Sequence, residues 1–315
     1  MPRSLYLRLS VTDRCNLRCR YCRPEHDQAG RPTAFTASDD ELLEIIRRIR
    51  AEYPIHKLRV TGGEPLLRRD LPQLVARLRG ELPQVEMALT TNGLLLAPIA
   101  VDLRRAGMDS INISIDTMDA DGFREVTRGG NIKTVLAGLD AAHAAGIRKI
   151  RLNAVLMRSI NGSRLDELVR LAAQYDSEIR FIELMPYGEG ASIYDEEYLS
   201  GDEALESLQA AFPYLGPAAD SATAARYRFV VEGRERIVGF ITTVSHPFCE
   251  RCDRLRLDCH GRIYACMRTP VGVDLLTPLR AGRADVVRQR IRQETPNKTI
   301  PLGVWPDHSL VTIGG

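Results

Sequence analysis

The sequence predicts an α/β fold, an incomplete barrel of six strand–helix units followed by a smaller C-terminal region. Between residues 4 and 186, six strand-like segments alternate with amphipathic helical segments. This alternation is typical of a parallel sheet covered by helices. Unusual polar, glycine and cysteine residues cluster where the strands end, and barrel enzymes place their sites at that edge. Six units are too few to close an eight-fold barrel, so an open or partial barrel is expected.

The predicted elements of the barrel follow from apolar periodicity and capping residues. Ser38 followed by Asp-Asp-Glu predicts a capped helix whose apolar positions run to Ile49, and Gly107 predicts the end of a later helix. The predicted strands are 5–11, 57–61, 85–90, 109–115, 149–157 and 178–184. The other predicted helices are 70–82, one that ends at 106, 132–145 and 163–175.

The alternation weakens after Pro186, which divides the chain into residues 1–186 and 187–315. We expect a loop over 187–201 and a short helix over 202–212, capped by Gly201 or Asp202. Segments 227–231 and 236–244 predict antiparallel strands, and 283–294 predicts a late helix. The second part is therefore expected to be a small α+β region.

Composition and charge are those of an ordinary folded protein. The chain of 315 residues is 44% hydrophobic and 27% charged, with a formal net charge of +2, which gives no global case for a nucleic-acid partner. It contains no apolar run of membrane-spanning length and no secretory leader pattern, so a cytoplasmic protein is expected. Its seven cysteines are an odd count, which favours metal or redox use over disulfides.

The first cysteine set is Cys15, Cys19 and Cys22. Offsets of four and three bring the thiols to one side of a helically coiled loop. Thiolates suit iron–sulfur clusters or zinc, but structural zinc takes four ligands. Three cysteines without a nearby fourth leave one metal position open to a ligand that is not protein. The alternative is three unrelated buried cysteines.

The second set is Cys249, Cys252 and Cys266, for which zinc is the rival interpretation because Cys259 could complete a four-ligand site. Arg254 and Arg256 lie on one face of the strand that follows Cys252. Guanidinium groups beside a metal centre suit an anionic ligand. The alternative is two solvated surface arginines.

These motifs carry a resemblance to a known family. Cys-x3-Cys-x2-Cys, with Tyr21 before the last cysteine, resembles the radical S-adenosylmethionine (SAM) enzymes. The segments 248–257 with Cys266, 181–186, and the terminal Gly314-Gly315 resemble the GTP 3′,8-cyclases, lyases that catalyse the first step of molybdenum cofactor biosynthesis. The resemblance runs through almost the whole chain and requires both cysteine sets.

The resemblance implies an incomplete (βα)6 radical SAM barrel whose mouth is closed by the C-terminal region, with two [4Fe-4S] clusters. It implies that GTP becomes (8S)-3′,8-cyclo-7,8-dihydroguanosine 5′-triphosphate after SAM is cleaved to methionine and a 5′-deoxyadenosyl radical. The implied metal ligands are Cys15, Cys19 and Cys22 for the SAM cluster and Cys249, Cys252 and Cys266 for the substrate cluster. The implied SAM contacts are Tyr21, Gly63, Ser114 and Met185, and the implied GTP contacts are Arg8, Arg59, Thr90, Arg151, Arg254 and Arg256. Arg254, Arg256, Gly314 and Gly315 are the implied catalytic residues.

The chain departs from the family pattern at Arg23, Arg151 and Asp253, where the family usually has Met, Lys and Asn. The resemblance also implies an electron donor, a downstream cyclic pyranopterin monophosphate synthase and a possible homodimer. A peptide-modifying radical SAM enzyme with an auxiliary cluster is the alternative enzyme, and a zinc- or cluster-binding regulator is the alternative without catalysis.

Overall fold

The computed structural model describes residues 4–25, 36–219, 221, 223–295 and 305. Its centre is a row of six parallel strands that lie side by side in chain order, which confirms the predicted partial barrel. These strands are β1 (Leu5–Ser10), β2 (Ile55–Thr61), β3 (Glu86–Thr91), β4 (Ser110–Ser114), β5 (Lys149–Leu156) and β6 (Glu178–Glu183).

Helices connect the strands and cover their outer face. Ser38 caps the first helix through a capping box with Glu41, as its sequence predicts. The helices of this part are α1 (Asp39–Glu52), α2 (Leu71–Glu81), α3 (Ala100–Arg105), α4 (Ala120–Thr127), α5 (Ile132–Ala144) and α6 (Leu165–Gln174). None of the described helices is long and apolar enough to cross a bilayer.

The two faces of the barrel sheet differ in polarity. On β1, Leu7 and Leu9 are fully buried beneath the helices, whereas Tyr6 and Arg8 alternate with them and therefore point to the opposite, inner face. Parallel strands covered on both faces usually read as continuous apolar runs. The alternation here indicates that the inner face lines a polar cavity.

The C-terminal region extends the sheet at both of its edges. Strand β10 pairs in parallel with β1, and β9 pairs in parallel with β6, so that the described residues form one sheet of twelve strands. The strands of this region are β7 (Tyr214–Pro217), β8 (Ala225–Val231), β9 (Arg234–Ile241), β10 (Arg254–Leu257), β11 (Arg262–Tyr264) and β12 (Val273–Asp274). Its helices are α7 (Glu189–Glu197), α8 (Gly201–Ala211), α9 (Leu276–Arg280) and α10 (Ala284–Glu294).

Three local predictions are wrong or incomplete. The expected loop over 187–201 contains α7, where Tyr194 and Tyr198 stack with ring centroids 4.9 Å apart. The carboxylate of Glu197 accepts hydrogen bonds from the Ser159 N–H and hydroxyl, so tertiary contacts stabilise a helix whose apolar pattern is weak. Ser200 caps α8, rather than the predicted Gly201 or Asp202. Helix α4 lies in a segment for which no helix was predicted.

Candidate active site

The loop that carries the first cysteine set is held against the end of β2. The Gly63 N–H donates to Thr12 O at 2.8 Å, and the Glu64 N–H donates to Arg14 O at 2.7 Å. A Cβ atom on Gly63 would lie 2.2 Å from Arg14 O, so only glycine permits this approach. The close approach at Gly63 is therefore made to the cysteine loop itself.

Glu64 fixes the neighbouring strand end. Its carboxylate accepts hydrogen bonds from the Thr91 hydroxyl at 2.8 Å and from the Asn92 and Leu66 N–H groups at 2.7 and 3.0 Å. Burial raises the pKa of Glu64 to about 7, although these hydrogen bonds oppose the shift. One buried side chain thus links the ends of β2 and β3 beneath the first cysteine set.

A first cavity opens at the C-terminal ends of the barrel strands, where the sequence predicted the site. Tyr21 donates a hydrogen bond of 2.9 Å to Asp116 Oδ2, and Asp116 Oδ1 accepts the Val155 N–H at 2.8 Å. Burial raises the pKa of Asp116 to about 6. The cavity is lined by Tyr21, Cys22, Thr90, Ser114, Asp116, Asn153, Val155, Ile182, Glu183, Leu184, Met185 and Met267.

A second cavity contains the second cysteine set. It is lined by Cys249, Cys252, Cys266, Arg254, Arg256, Arg268, Met185, Met267, Trp305, Thr243, Pro247, Phe248 and Ala265. Met185 and Met267 line both cavities. Cys22 of the first set and all three cysteines of the second set therefore line cavities that share two methionine side chains.

Several cationic side chains form what we call the cationic wall: Arg8, Arg59, Arg254 and Arg256 on adjacent strands. Arg8 lies opposite Arg59 on one side and Arg256 on the other in the strand register. Burial lowers the pKa of Arg8, and so do the charges of Arg256, Arg59 and Arg254. Burial and Arg254 likewise lower the pKa of Arg256 to about 10. Buried like charges are costly unless an anion compensates them, so this wall suits a polyanionic ligand.

Tyr6 and Thr90 hold Arg59 in place. Arg59 Nη1 donates to Thr90 Oγ1 and to Leu89 O, both at 3.0 Å, and Arg59 Nε donates to the Tyr6 hydroxyl. Burial of Tyr6 opposes its ionisation, but Arg59, Arg8 and Lys57 outweigh that effect and lower its pKa to about 8. Arg59 is thereby oriented within the cationic wall.

Arg151 occupies a different setting from the cationic wall. Its Nε donates to Glu178 Oε2 at 3.4 Å, and Glu178 also forms ion pairs with Arg180 and Arg226 at 2.9 and 3.4 Å. The structure thus places Arg151 on the inner face but gives it a carboxylate partner.

Arg268 is a site residue that the sequence analysis missed. Its Nη2 donates to Cys249 Sγ at 3.4 Å, its N–H donates to Cys266 Sγ at 3.4 Å, and its guanidinium lies 5.0 Å from the Trp305 ring centroid. The sequence feature that could have indicated Arg268 is its position, two residues after Cys266. Met267, Asp116 and Asn153 were likewise not proposed as ligand contacts.

Among the described residues, neither cysteine set has the close sulfur spacing that a single zinc ion needs. Tetrahedral zinc with Zn–S bonds of about 2.3 Å would bring the sulfurs to roughly 3.8 Å from one another. Among the described residues, neither set has all three sulfurs within 4.8 Å of one another. A cubane attaches each cysteine to a different iron and so spaces them farther apart. N–H donors also contact the Cys15 and Cys266 sulfur atoms, and hydrogen bonds of this kind help to set the reduction potential of a bound cluster.

Cys259 is buried and does not line the second cavity in the described part of the chain. This placement disfavours the four-cysteine zinc interpretation. Gly314 and Gly315 lie outside the described residues.

Comparisons with known proteins agree with these motifs. The family model described as the Radical SAM superfamily matches residues 9–172, and that described as Molybdenum Cofactor Synthesis C matches 177–301. A GTP 3′,8-cyclase of Heliobacterium modesticaldum is 41% identical over 92% of this chain and 88% of the relative. One of Streptomyces coelicolor is 36% identical over 98% of this chain and 93% of the relative.

The chain belongs to the GTP 3′,8-cyclase family.

As a family member it is also a radical SAM enzyme, which implies a [4Fe-4S] cluster and SAM as cofactors. Streptococcus suis SuiB bound to S-adenosylmethionine shares its fold with a TM-score of 0.65 at 15% identity, covering 92% of this chain and 68% of that one. This likeness shows that the two chains share an overall fold.

Proposed function

We propose that this chain is a lyase that converts GTP to (8S)-3′,8-cyclo-7,8-dihydroguanosine 5′-triphosphate, the first step of molybdenum cofactor biosynthesis. One observation carries the proposal. The cavity lined by Cys22 and the cavity lined by the second cysteine set share Met185 and Met267, and Arg254 and Arg256 line the second cavity. The similarity of whole-length relatives named for this activity supports the same conclusion.

In this proposal Cys15, Cys19 and Cys22 hold the first cluster, and Cys249, Cys252 and Cys266 hold a second [4Fe-4S] cluster. Once bound, the first cluster and SAM supply the radical that removes a ribose hydrogen from GTP. The residues proposed to contact SAM are Tyr21, Gly63, Ser114 and Met185. Asp116 accepts a hydrogen bond from the Tyr21 hydroxyl and so fixes that ring at the edge of the first cavity.

The proposed role of the cationic wall is to bind the triphosphate. Guanidinium forks match phosphate oxygens in a bidentate manner, and Thr90 holds Arg59 in position. A bound triphosphate would relieve the repulsion among Arg8, Arg254 and Arg256. Arg151 is proposed to contact GTP from its position beside Glu178.

Further parts of the proposal concern segments and partners. Residues 1–186 and 187–315 are proposed as the two domains. Gly314 and Gly315 are proposed to reach the site, because a segment without side chains can enter a crowded cavity. An external electron donor, a downstream cyclic pyranopterin monophosphate synthase, a homodimer and a cytoplasmic location complete the proposal.

The direct test is anaerobic incubation of the reconstituted protein with GTP, SAM and a reductant, followed by mass analysis of the nucleotide product. The expected product is the cyclised triphosphate, an isomer of GTP that elutes separately. Unchanged GTP alongside continued SAM cleavage would contradict the proposed substrate and favour the peptide-modifying alternative.

The Arg256→Ala variant tests the cationic wall. Loss of one charged, buried phosphate contact of about 1.5–3 kcal/mol should lower kcat/KM for GTP by about 10- to 100-fold. SAM cleavage should remain, because Arg256 does not line the first cavity, and iron content should remain, because Arg256 is not one of the proposed cysteine ligands. Arg256→Lys should retain part of the activity, since charge is kept without the fork.

Arg234→Ala, on an exposed hairpin strand, is the matched control and should leave kcat/KM unchanged. Equal kinetics for Arg256→Ala and Arg234→Ala would remove Arg256 from the proposed GTP site.

A further inference from the structure

Two segments that follow neighbouring strands leave the sheet side by side. Strands β1 and β10 are parallel, with Leu9 opposite Leu257. The residues after each strand therefore emerge at the same edge. Asp13 follows β1, whereas Cys259 and His260 follow β10.

These three side chains converge. One ligand atom from each of Asp13, Cys259 and His260 lies within 4.8 Å of the other two, and His260 Nε2 is 3.5 Å from Asp13 Oδ2. Cys259 is 3% exposed, whereas the side chains of His260 and Asp13 are 24% and 25% exposed. The thiol is thus buried, whereas the other two groups reach solvent and provide a path of entry for an ion.

The turn that presents Cys259 and His260 is fixed by hydrogen bonds that do not use their side chains. Asp258 Oδ1 accepts the His260 N–H at 2.9 Å and the Arg262 N–H at 2.8 Å, and Asp258 Oδ2 accepts the Tyr264 hydroxyl at 3.0 Å. The Cys259 carbonyl accepts the Ala37 N–H at 2.9 Å. Because the backbone of this turn is already ordered, binding a ligand would cost little conformational entropy, which favours affinity.

We propose that Asp13, Cys259 and His260 form a zinc site separate from both cysteine sets. Thiolate, imidazole and carboxylate are the three ligand types that Zn²⁺ uses, and three protein ligands leave a fourth position for water. A thiolate disfavours Mg²⁺ and Ca²⁺. Binding releases the thiol proton to solvent. The spacing within 4.8 Å suits one metal ion, in contrast to the wider spacing of the two cysteine sets.

The site would join two distant parts of the chain. Asp13 lies two residues before Cys15, and Cys259 and His260 belong to the C-terminal region. A zinc ion here would tie the first cysteine loop to that region. This inference does not depend on the proposed GTP chemistry, because it concerns metal content and structure alone.

The test uses full-length protein reconstituted anaerobically with iron and sulfide, then exposed to Zn²⁺ and desalted. Elemental analysis should find about one zinc per chain, with iron and labile sulfide unchanged by the treatment. X-ray absorption at the zinc edge reports on zinc and not on iron. It should show one sulfur ligand at about 2.3 Å and nitrogen or oxygen ligands at about 2.0–2.1 Å from the zinc.

Cys259→Ala and His260→Ala should each weaken zinc binding by at least about 100-fold, more than the loss of an outer partner, while iron content stays constant. Both substitutions reduce side-chain size, and His260 is partly exposed, so at least one variant is expected to fold. His246→Ala is the control, because His246 pairs with Asp202 at 2.8 Å on the exposed surface and should leave zinc content unchanged.

Three results would overturn the proposal. The first is no zinc retained above the level of the Cys259→Ala variant. The second is zinc that persists in both variants. The third is a zinc spectrum with three or four sulfur ligands, which would place the ion in the cysteine sets instead.

Discussion

At the scale of single residues, Arg23 shows how one side chain can adjust the first cysteine set. It follows Cys22 directly and is 3% exposed. Burial raises the pKa of the Cys15 thiol, whereas a hydrogen bond and the charge of Arg23 lower it. Buried positive charge beside sulfur ligands favours the more negative, reduced state of a cluster.

Replacing Arg23 by Met should therefore make the midpoint potential of the first cluster more negative. A preference of about 1 kcal/mol for the reduced state corresponds to about 40 mV in a one-electron couple. A redox titration followed by electron paramagnetic resonance measures the shift. Arg18→Met removes an exposed charge from the same loop and should change the potential much less, because water and salt screen it. Equal shifts in the two variants would refute a specific role for Arg23.

At the scale of elements, Glu183 connects β6, α8 and the segment that follows β9. It ends β6 and is 1% exposed. Its carboxylate accepts the Gly201 N–H at the start of α8 at 2.9 Å, and the Val244 and Ser245 N–H groups after β9 at 2.8 and 3.0 Å. A carboxylate is suited to this task because it only accepts hydrogen bonds.

Glu183→Gln should lower the free energy of unfolding by about 2–4 kcal/mol, because charge-assisted bonds are lost and an amide N–H₂ then faces N–H donors. The apparent Tm of the anaerobic protein should fall by roughly 5–10 °C. Glu196→Gln, on the exposed side of α7, should shift the Tm by less than about 1–2 °C. An unchanged Tm in Glu183→Gln would show that the three elements do not depend on this carboxylate.

Helices α1 and α9 meet through Glu41 and Arg280, whose closest N···O distance is 2.7 Å. The hydrogen bond from Arg280 is the main cause that lowers the pKa of Glu41 to about 2. A folded-state pKa below the unfolded value means that the stabilisation is present above about pH 4.5 and is lost as the pH falls towards 2.

Glu41→Gln should thus cost about 0.5–1 kcal/mol at pH 7, since solvent screens this partly exposed pair. The difference in the free energy of unfolding between the original protein and Glu41→Gln should become smaller below pH 4.5 and also in 1 M NaCl. Urea unfolding of both proteins across this pH range measures this difference in free energy. A free-energy difference that grows as the pH falls would contradict the stabilising role of the Glu41–Arg280 pair.

At the scale of the whole molecule, the six-strand sheet of the partial barrel ends at β1 on one side and at β6 on the other. Each edge is paired in parallel with a strand of the C-terminal region, β10 and β9 respectively. Unpaired edges expose backbone N–H and C=O groups and favour aggregation. The C-terminal region therefore stabilises the barrel in addition to carrying the second cysteine set.

A chain that ends at Pro186 should accordingly fail to fold into a stable, soluble barrel. It is expected to aggregate, or to unfold without a cooperative transition when followed by circular dichroism. The full-length protein, prepared identically, is the reference. A soluble fragment with a cooperative melt would show that the barrel is stable without its edge partners.

The sequence alone determined the six strand–helix units, both cysteine sets and the shared face of Arg254 and Arg256. These features depend on periodicity and on spacings of a few residues, because the geometry of a helix or strand decides which nearby residues share a face. For the same reason the capping box at Ser38 was predictable, whereas the helix over Glu189–Glu197 was not.

Only the tertiary structure decided that β9 and β10 pair with opposite edges of the barrel, and that Asp13 lies beside Cys259 and His260. It also placed Met185 and Met267 in the lining of both cavities. Residues separated by more than two hundred positions meet because strands become neighbours in the sheet, and no local pattern in the chain encodes that choice of neighbour.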